Sequence, residues 1–498
     1  MDSSPEQRTP YLTIYLLPAI ILALLAYKAY TIATNPLRHI PGPWISQCTN
    51  LRLKYAILTG ERVRYIHSLH QHYGPIVRIS PSELDLCDAV AAKTVYKMGS
   101  RFMKTRFYSV FTGSQVVNAF SSQDAQWHGQ HRRLTSANFS EQSVKKMEPF
   151  IAKNVQLAVR RMMEEVERLG YVDVFKWFMF MATDVIGEAS FGESFRMLET
   201  GKENQYISDL ETLASKGIYR VELEGLVNIV ASLPFGPVKE ILRIAARMNA
   251  YAEDSVQRYW RLYNADPENV KPTLLTKEYA AVENGTLDAL QLRRDASGYI
   301  IAGTDTTAVT ATYAVWELSK LPGVQEALCR EVAGLPEGFD DEVLRTLPLL
   351  DRVLQETLRL HPAVEQGLPR SVPEGGAEFG GYHVPAGQVV GIQAYSMHRD
   401  PAVWREAETF DPSRWEEPTK AMQDNFYPFG GGSRVCLGMH FAKVELRHAL
   451  ANFYRTFEVG MKPAFVQGFG EKDMEAVSYF LSPPRGKRCY VMPRKSLS

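Results

Sequence analysis

FGGGSRVCLG, residues 429–438, is the most informative decapeptide in this sequence. Its cysteine, Cys436, stands directly before an amphipathic run from Leu437 to Tyr454, in which apolar residues recur at helical spacing. A helix N-terminus stabilises negative charge, and glycines let backbone N–H groups approach a sulfur atom. Both features favour a thiolate over a thiol. The decapeptide therefore predicts a cysteine thiolate that serves as a metal ligand at the start of a long helix.

A buried cysteine in a glycine-rich turn is the alternative interpretation of this stretch, and a zinc site is disfavoured because no second cysteine lies within ligand spacing. Five fixed positions of the decapeptide match the pattern FxxGxRxCxG, which resembles the haem-binding signature of the cytochrome P450 family. The resemblance implies haem b (iron protoporphyrin IX) as cofactor, with Cys436 as the axial ligand to its iron. It also implies four further haem-contacting positions in this loop: Phe429, Gly432, Arg434 and Gly438.

A second motif, AGTDTT at residues 302–307, lies within a helical pattern from about 287 to 318. A glycine followed by hydroxyl residues is expected to weaken the helix locally, because threonine side chains compete for backbone carbonyls. The alternative is a threonine-rich patch on a buried helix. The motif resembles the oxygen-binding segment of the same family, which implies that Asp305 and Thr306 deliver protons during oxygen activation.

A third motif pairs Glu356 with Arg359 on one helical face. Such pairs occur by chance, but this one precedes FDPSRW at residues 410–415, which resembles the family's PxRW segment. The resemblance implies a buried network of Glu356, Arg359 and Arg414 that stabilises the core around the haem.

Further contacts to the haem propionates are implied at the helix that begins near Trp127. The family commonly has WxxxR in this helix, and counting back from Phe139 places His128 and Arg132 at the two positions. Trp127 is therefore one residue out of register, and its role is left open. Arg370 is a further expected propionate partner.

Substrate contacts are expected at Ala302, Phe111, Phe480 and Gln366. Most positions that the resemblance places beside the substrate are apolar or aromatic, which suits a large, flat, apolar molecule. Gln366 is interpreted either as a group that orients a polar function of the substrate or as a solvent-facing or backbone-bonded side chain. The segments HQHYGPIVRISPSEL and MATDVIGEASFGESF look most like fungal secondary-metabolite members, including the aflatoxin-pathway polyketide hydroxylases.

The 498 residues are expected to form a mainly α fold with minor β-sheets, in one large haem domain at residues 44–498. An apolar transmembrane anchor at residues 9–28 and a proline-rich hinge at residues 29–43 precede it. A hairpin between residues 477–481 and 488–492 is expected near the C-terminus. Lys+Arg and Asp+Glu are equal at 56 each, so no net field favours nucleic acid. Five widely spaced cysteines suit a reducing compartment.

The function implied by the resemblance is a monooxygenase acting on a small molecule in fungal secondary metabolism. Only 62 residues follow Cys436, so electrons are expected from NADPH through a separate membrane-bound reductase. A weak excess of basic residues after the anchor places the haem domain in the cytosol, at the endoplasmic reticulum membrane. Three alternatives remain: a haem-thiolate isomerase or dehydratase that does not activate oxygen, a non-catalytic haem-binding sensor, and an anchored interaction protein without haem. The substrate, the position oxidised and the number of oxidations are not defined by the sequence.

Overall fold

Helices dominate the architecture, as the long helical patterns in the sequence predict. The computed structural model describes residues 9–113, 117–225, 227, 236–266, 271–461 and 468–494. The helices are α1 (Thr9–Ala33), α2 (Ile45–Cys48), α3 (Leu51–Leu58), α4 (Arg62–Tyr73), α5 (Ala89–Tyr96), α6 (Arg106–Thr112), α7 (Ala125–Ser136), α8 (Glu141–Leu169), α9 (Val174–Phe191), α10 (Met197–Thr200), α11 (Gln205–Glu222), α12 (Gly236–Ala265), α13 (Thr276–Glu283), α14 (Ala289–Ser319), α15 (Pro322–Ala333), α16 (Asp341–Leu344), α17 (Pro348–Leu360), α18 (Ala394–Met397), α19 (Lys420–Asp424), α20 (Met439–Thr456) and α21 (Glu471–Met474).

Short strands form small sheets beside this helical body. They are β1 (Ile76–Ser80), β2 (Glu83–Leu86), β3 (Met103–Lys104), β4 (Val172–Asp173), β5 (Arg370–Ser371), β6 (Ala377–Phe379), β7 (Tyr382–Val384), β8 (Val389–Gly391), β9 (Val459–Met461) and β10 (Tyr490–Pro493). One sheet has the order β1-β2-β8-β5-β3, a second has β4-β10-β9, and β6 pairs with β7. The mainly α fold with minor sheets is confirmed.

The expected C-terminal hairpin is wrong in its pairing. Strand β10 pairs with β9 and β4, whereas the segment expected as its partner, residues 477–481, contributes an isolated bridge from Ser478 to Glu61. The reason is that β9 and β4 lie elsewhere in the sequence, and a local strand pattern carries no information about such distant partners.

Helix α1 is long and apolar enough to cross a membrane, and its described side chains, from Leu16 onwards, are almost all exposed. It runs on to Ala33, so the hinge expected at residues 29–43 begins inside the helix. The sequence has neither proline nor glycine between Pro18 and Pro36, and Pro36 disfavours helical backbone at the residue before it.

The segment after α1 is fixed to the sheet by Arg78, a fully buried side chain on β1. Its Nη1 donates to the carbonyl oxygens of Leu37 and Ile40 at 3.0 and 2.7 Å. Leu37 and Ile40 are themselves buried in the core beneath the sheet. The segment therefore holds the helical body in a defined position relative to α1.

The centre of the fold is the packing of α14 against α9. Gly303 on α14 permits this close approach, because a Cβ there would lie 2.7 Å from Cγ1 of Ile186. Helix α14 is continuous through residues 302–307, and the Thr306 hydroxyl donates to the Ala302 carbonyl within it. Close helix packing, rather than an opened backbone, accounts for the glycine in this motif.

Candidate active site

The loop before α20 holds Cys436 in a tight, hydrogen-bonded turn. The Cys436 N–H donates to the carbonyl oxygen of Phe429 at 2.9 Å and closes the loop. Burial raises the pKa of the Cys436 thiol, while a hydrogen bond from the Gly438 N–H and the nearby charge of Arg132 act in the opposite direction. The side chain nevertheless keeps exposed surface. The thiol therefore faces a space inside the fold, with a backbone donor and a cation beside it.

Gly432 fits this turn because no other residue could occupy its position without displacing the backbone. Its φ is +61°, and a Cβ would lie 1.7 Å from the carbonyl oxygen of Tyr96. Gly438 differs, since the nearest atom to a Cβ there is 3.9 Å away, on Phe139. Phe429 is partly buried against the core, with Nζ of Lys443 5.8 Å from its ring centre.

Cationic side chains converge next to the thiolate loop. Burial lowers the pKa of Lys104 well below its usual value, and the nearby charges of Arg370, Arg434 and Arg132 lower it further. Lys104 and these three arginines form the cation cluster. Burial, followed by the charge of Arg370, lowers the pKa of Arg434 to about 10. Three of these residues donate to uncharged oxygen atoms: Arg434 to Ser122 O at 3.1 Å, Lys104 to Phe120 O at 2.5 Å and Arg370 to the Tyr108 hydroxyl at 2.6 Å.

Lys104 is a member of this cluster that the sequence motifs did not indicate. It lies directly opposite Arg370 in the pairing of β3 with β5, and both side chains are buried. Like charges directly opposite each other destabilise a sheet unless an anion compensates them. The pairing of β3 with β5 identifies Lys104 as a member of the cation cluster. The sequence did not indicate it, because strands of two residues cannot be recognised in a sequence.

His128 and Trp127 take different places at the start of α7. His128 is buried, and burial together with the charge of Arg434 lowers its pKa to about 3, so its ring is neutral. Trp127 stacks on His131 with ring centres 4.5 Å apart. Nε2 of His131 is 2.9 Å from Oδ2 of Asp295 on α14. Trp127 therefore supports a contact between two helices, and His128 faces the cation cluster.

The middle of α14 presents an open face although the helix crosses the centre of the fold. Ile301 and Ala302 are exposed, whereas Thr304 and Thr307 on the other side of the helix are buried. The Thr306 hydroxyl donates to the Ala302 carbonyl at 2.7 Å. Asp305 is half-buried next to it. The hydroxyl and carboxyl groups of the second motif are thus placed at the edge of an internal space.

The structure brings Glu356, Arg359 and Arg414 together in a network without solvent contact at its centre. Both carboxylate oxygens of Glu356 accept from Arg359 at 2.8 Å, and Oε1 also accepts from Arg414 Nε at 2.9 Å. Trp415 Nε1 donates to the second oxygen at 2.9 Å. Arg359 in turn donates to the carbonyl oxygens of His398, Ala407 and Thr409. This network joins α17 to the segment that leads into the thiolate loop.

Aromatic rings gather where substrate contacts are expected. Phe111 and Phe480 have ring centres 4.9 Å apart, and Phe120 meets Phe480 at 5.4 Å. Lys104 Nζ lies 5.0 Å from the ring centre of Phe120, so this aromatic cluster adjoins the cation cluster. Gln366 is buried and borders a cleft between α3, α6 and α11. The interpretation of Gln366 as a solvent-facing side chain is therefore wrong.

The residues present fit a haem group. A thiol faces an internal space, and a backbone N–H donates to its sulfur. The cation cluster, in which Lys104 lies opposite Arg370, supplies positive charge for two propionates. The donor set of one thiolate and several buried cations matches an anionic, thiolate-ligated cofactor.

Comparison with known proteins agrees with this assignment. The family model for cytochrome P450 matches residues 41–484. The cytochrome P450 monooxygenase tazI of Aspergillus terreus is 44% identical over 474 residues, which cover 95% of this chain and 97% of that protein. The cytochrome P450 monooxygenase orf2 of Aspergillus niger is 36% identical, with 95% and 97% covered. The monooxygenase aflV of Aspergillus parasiticus is 32% identical, with 92% and 91% covered.

These matches extend over nearly the whole chain and include the thiolate loop, α14 and the Glu356 network. The resemblance recognised in the sequence is thereby confirmed, and so is its similarity to fungal members. The chain belongs to the cytochrome P450 family and is a monooxygenase.

Proposed function

We propose that this monooxygenase oxidises a large, flat, apolar small molecule of polyketide type in fungal secondary metabolism. The observation that carries the proposal is the aromatic cluster of Phe107, Phe111, Phe120 and Phe480, which directly adjoins the cation cluster. Such rings offer broad apolar surfaces and favour stacking with flat aromatic ligands. Ala302 on the open face of α14 borders the same substrate space in this proposal.

Specific residues are proposed to hold the cofactor. Cys436 would ligate the haem iron through its sulfur, and Arg132, Arg370, Arg434, His128 and Lys104 would hold the propionates. When bound, a thiolate-ligated haem favours cleavage of the O–O bond, because the sulfur donates electron density. The Gly438 N–H and the N-terminus of α20 stabilise the negative charge on Cys436. The Glu356 network holds the loop that carries Cys436 in a fixed position relative to α17.

Thr306 and Asp305 are proposed as the proton-transfer residues. The Thr306 hydroxyl is held at the open face of α14 by its bond to the Ala302 carbonyl. Rotation about the side-chain bond frees that hydroxyl to donate to a reacting group in the internal space. Asp305 is adjacent and half-buried, so it can exchange a proton with solvent and restore the hydroxyl.

A separate membrane-bound reductase is the proposed source of NADPH electrons. Arg133 and Lys146 are exposed on α7 and α8, and Arg133 directly follows Arg132 of the cation cluster. An acidic partner would be attracted to this face. Lys145, which precedes Lys146 on α8, is paired with Glu342 and contributes less.

The anchor proposal is that α1 crosses the endoplasmic reticulum membrane once and that residues 44–498 form a cytosolic haem domain. Exposed side chains along α1 and the fixed segment above Arg78 support it. Deleting residues 1–28 should release the protein from membranes while leaving the visible spectrum of its haem unchanged. Full-length protein that is soluble in cells without detergent would contradict the proposal.

The substrate proposal is tested with metabolites from a strain that lacks the gene. The compound that accumulates is incubated with the purified protein, NADPH, a fungal reductase and ¹⁸O-labelled dioxygen. We expect one labelled oxygen atom in the product and no turnover without NADPH. Conversion without NADPH, to a product without labelled oxygen, would favour an isomerase or dehydratase.

A further inference from the structure

A cleft of about 310 Å³ lies between α3, α6 and α11, next to the loop that follows α17. Its apolar lining includes Leu53, Ile57, Phe107 and Ile218. Phe107 also stacks on Phe111, with ring centres 5.7 Å apart, and so belongs to the aromatic cluster. The cleft therefore adjoins the proposed substrate space and shares one wall with it.

Three basic side chains face this cleft, Lys54, Arg62 and Arg106, together with the carboxyl groups of Glu83, Glu222 and Glu224. Arg106 is largely exposed and makes a two-pronged ion pair with Glu224, at 2.8 and 2.6 Å. Lys54 Nζ donates to the Glu222 carbonyl at 2.7 Å. These two cations lie at the outer rim and have close partners.

Arg62 differs from the other two because it is buried and poorly satisfied. Its residue is 6% exposed. Its one ion pair, from Nη2 to Oε1 of Glu83, is long at 3.4 Å. Nη1 is buried without a hydrogen-bond partner in the described part of the chain. A buried guanidinium nitrogen without an acceptor costs free energy, and an acceptor supplied by a ligand would recover it.

The carboxyl groups at the cleft compensate this charge weakly. Burial raises the pKa of Glu83 to about 7, against the opposing effect of Arg62. Burial also raises the pKa of Glu222. A carboxyl group with a raised pKa carries less negative charge near neutral pH. Arg62 thus presents to the cleft a buried nitrogen that no acceptor in the described part of the chain satisfies, beside a carboxyl group of reduced charge.

We propose that this cleft binds the acidic group of an aromatic substrate, a carboxylate or an ionised phenol, with Arg62 as its principal partner. The proposal rests on the monooxygenase function above and narrows its substrate class. Gln366 borders the same cleft and supplies a neutral amide beside the anion. The aromatic part of the ligand would then extend past Phe107 towards the aromatic cluster.

Binding of two matched probes to the full-length, haem-loaded protein tests the proposal. Anthraquinone-2-carboxylate carries the anion, and anthraquinone-2-carboxamide has nearly the same shape without the charge. Hydrogen bonds to charged groups are stronger than neutral ones, so we expect the carboxylate to bind about tenfold more tightly. Equilibrium dialysis measures both affinities without turnover.

Variants of the cleft separate its charge from its shape. Arg62→Gln should remove the preference for the carboxylate, and Glu83→Gln should increase it several-fold by freeing the guanidinium. Arg64→Gln is the matched control, because Arg64 lies on the same helix but pairs with Glu61 outside the cleft. If Arg62→Gln does not fold, the increase in Glu83→Gln still tests the assignment.

The proposal is overturned by equal affinities for the two probes, by no measurable binding of either, or by a preference that survives in Arg62→Gln. An unchanged preference in Glu83→Gln also counts against it. Displacement of the carboxylate by excess inorganic phosphate would indicate a general anion site instead of a substrate site. None of these results affects the oxygenation test, so a failure here is distinct from a failure of the monooxygenase function.

Discussion

Replacement of Arg359 by alanine is expected to unfold much of the region around the thiolate loop. Arg359 is fully buried, donates to both oxygens of Glu356, and also satisfies the carbonyl oxygens of His398, Ala407 and Thr409. Removing one partner of a buried ion pair costs roughly 3–5 kcal/mol, and each orphaned carbonyl adds to this. We therefore expect a loss of about 4 kcal/mol or more, a large part of the stability of a typical domain.

The assay compares denaturant unfolding and haem content of purified Arg359→Ala with those of the wild type. Arg352→Ala is the matched control, because Arg352 lies on the same helix and pairs with the exposed Glu416. An exposed pair contributes about 1 kcal/mol or less, so this variant should behave like the wild type. An Arg359→Ala protein within about 1 kcal/mol of the wild type would refute the energetic reasoning.

Three other predictions concern the loop, the proton-transfer residues and pH. Gly432→Ala should abolish haem incorporation, whereas Gly99→Ala, also at positive φ but with no atom within 4 Å of its Cβ, should retain it; equal haem content contradicts the steric argument. Thr306→Ala should keep haem but form roughly tenfold less product, or lower still, per NADPH consumed. Thr312→Ala loses the same type of side-chain bond to a helix carbonyl elsewhere on α14, and it should form as much product per NADPH as the wild type. Burial raises the pKa of Glu278 to about 8. The protonated Glu278 carboxyl group therefore stabilises the fold fully below the pKa of the unfolded chain, and this stabilisation is lost as pH rises through 8. Between about pH 6 and pH 9 the free energy of unfolding of Glu278→Gln should therefore fall by roughly 2–3 kcal/mol less than that of the wild type. The same pH dependence in both proteins, measured by denaturant unfolding, contradicts this.

The thiolate loop could be read from the sequence because its determinants are contiguous. The glycine with positive φ, the cysteine and the start of α20 all lie within the decapeptide and its immediate extension. The Glu356 network could be anticipated from the order of its segments, although its partners among the backbone carbonyls could not. Local chemistry and motif order were sufficient for these two features.

Contacts between distant segments were not accessible in the same way. Lys104 joins the cation cluster only through the pairing of β3 with β5, and His131, on which Trp127 stacks, meets the distant Asp295. Gly303 was interpreted as a weak point of its helix because the sequence does not reveal that Ile186 packs against it. In each case the deciding neighbour is remote in the chain, and only the folded structure supplies it.

Cysteine ligation of the haem iron is the central claim, and the carbon monoxide difference spectrum of the reduced protein tests it most directly. The wild type should show the red-shifted band of a thiolate-ligated haem, and Cys436→Ala should lose it. Alanine at each of the other cysteines should leave the band in place: Cys48, Cys87, Cys329 and Cys489. A red-shifted band that persists in Cys436→Ala would contradict the account.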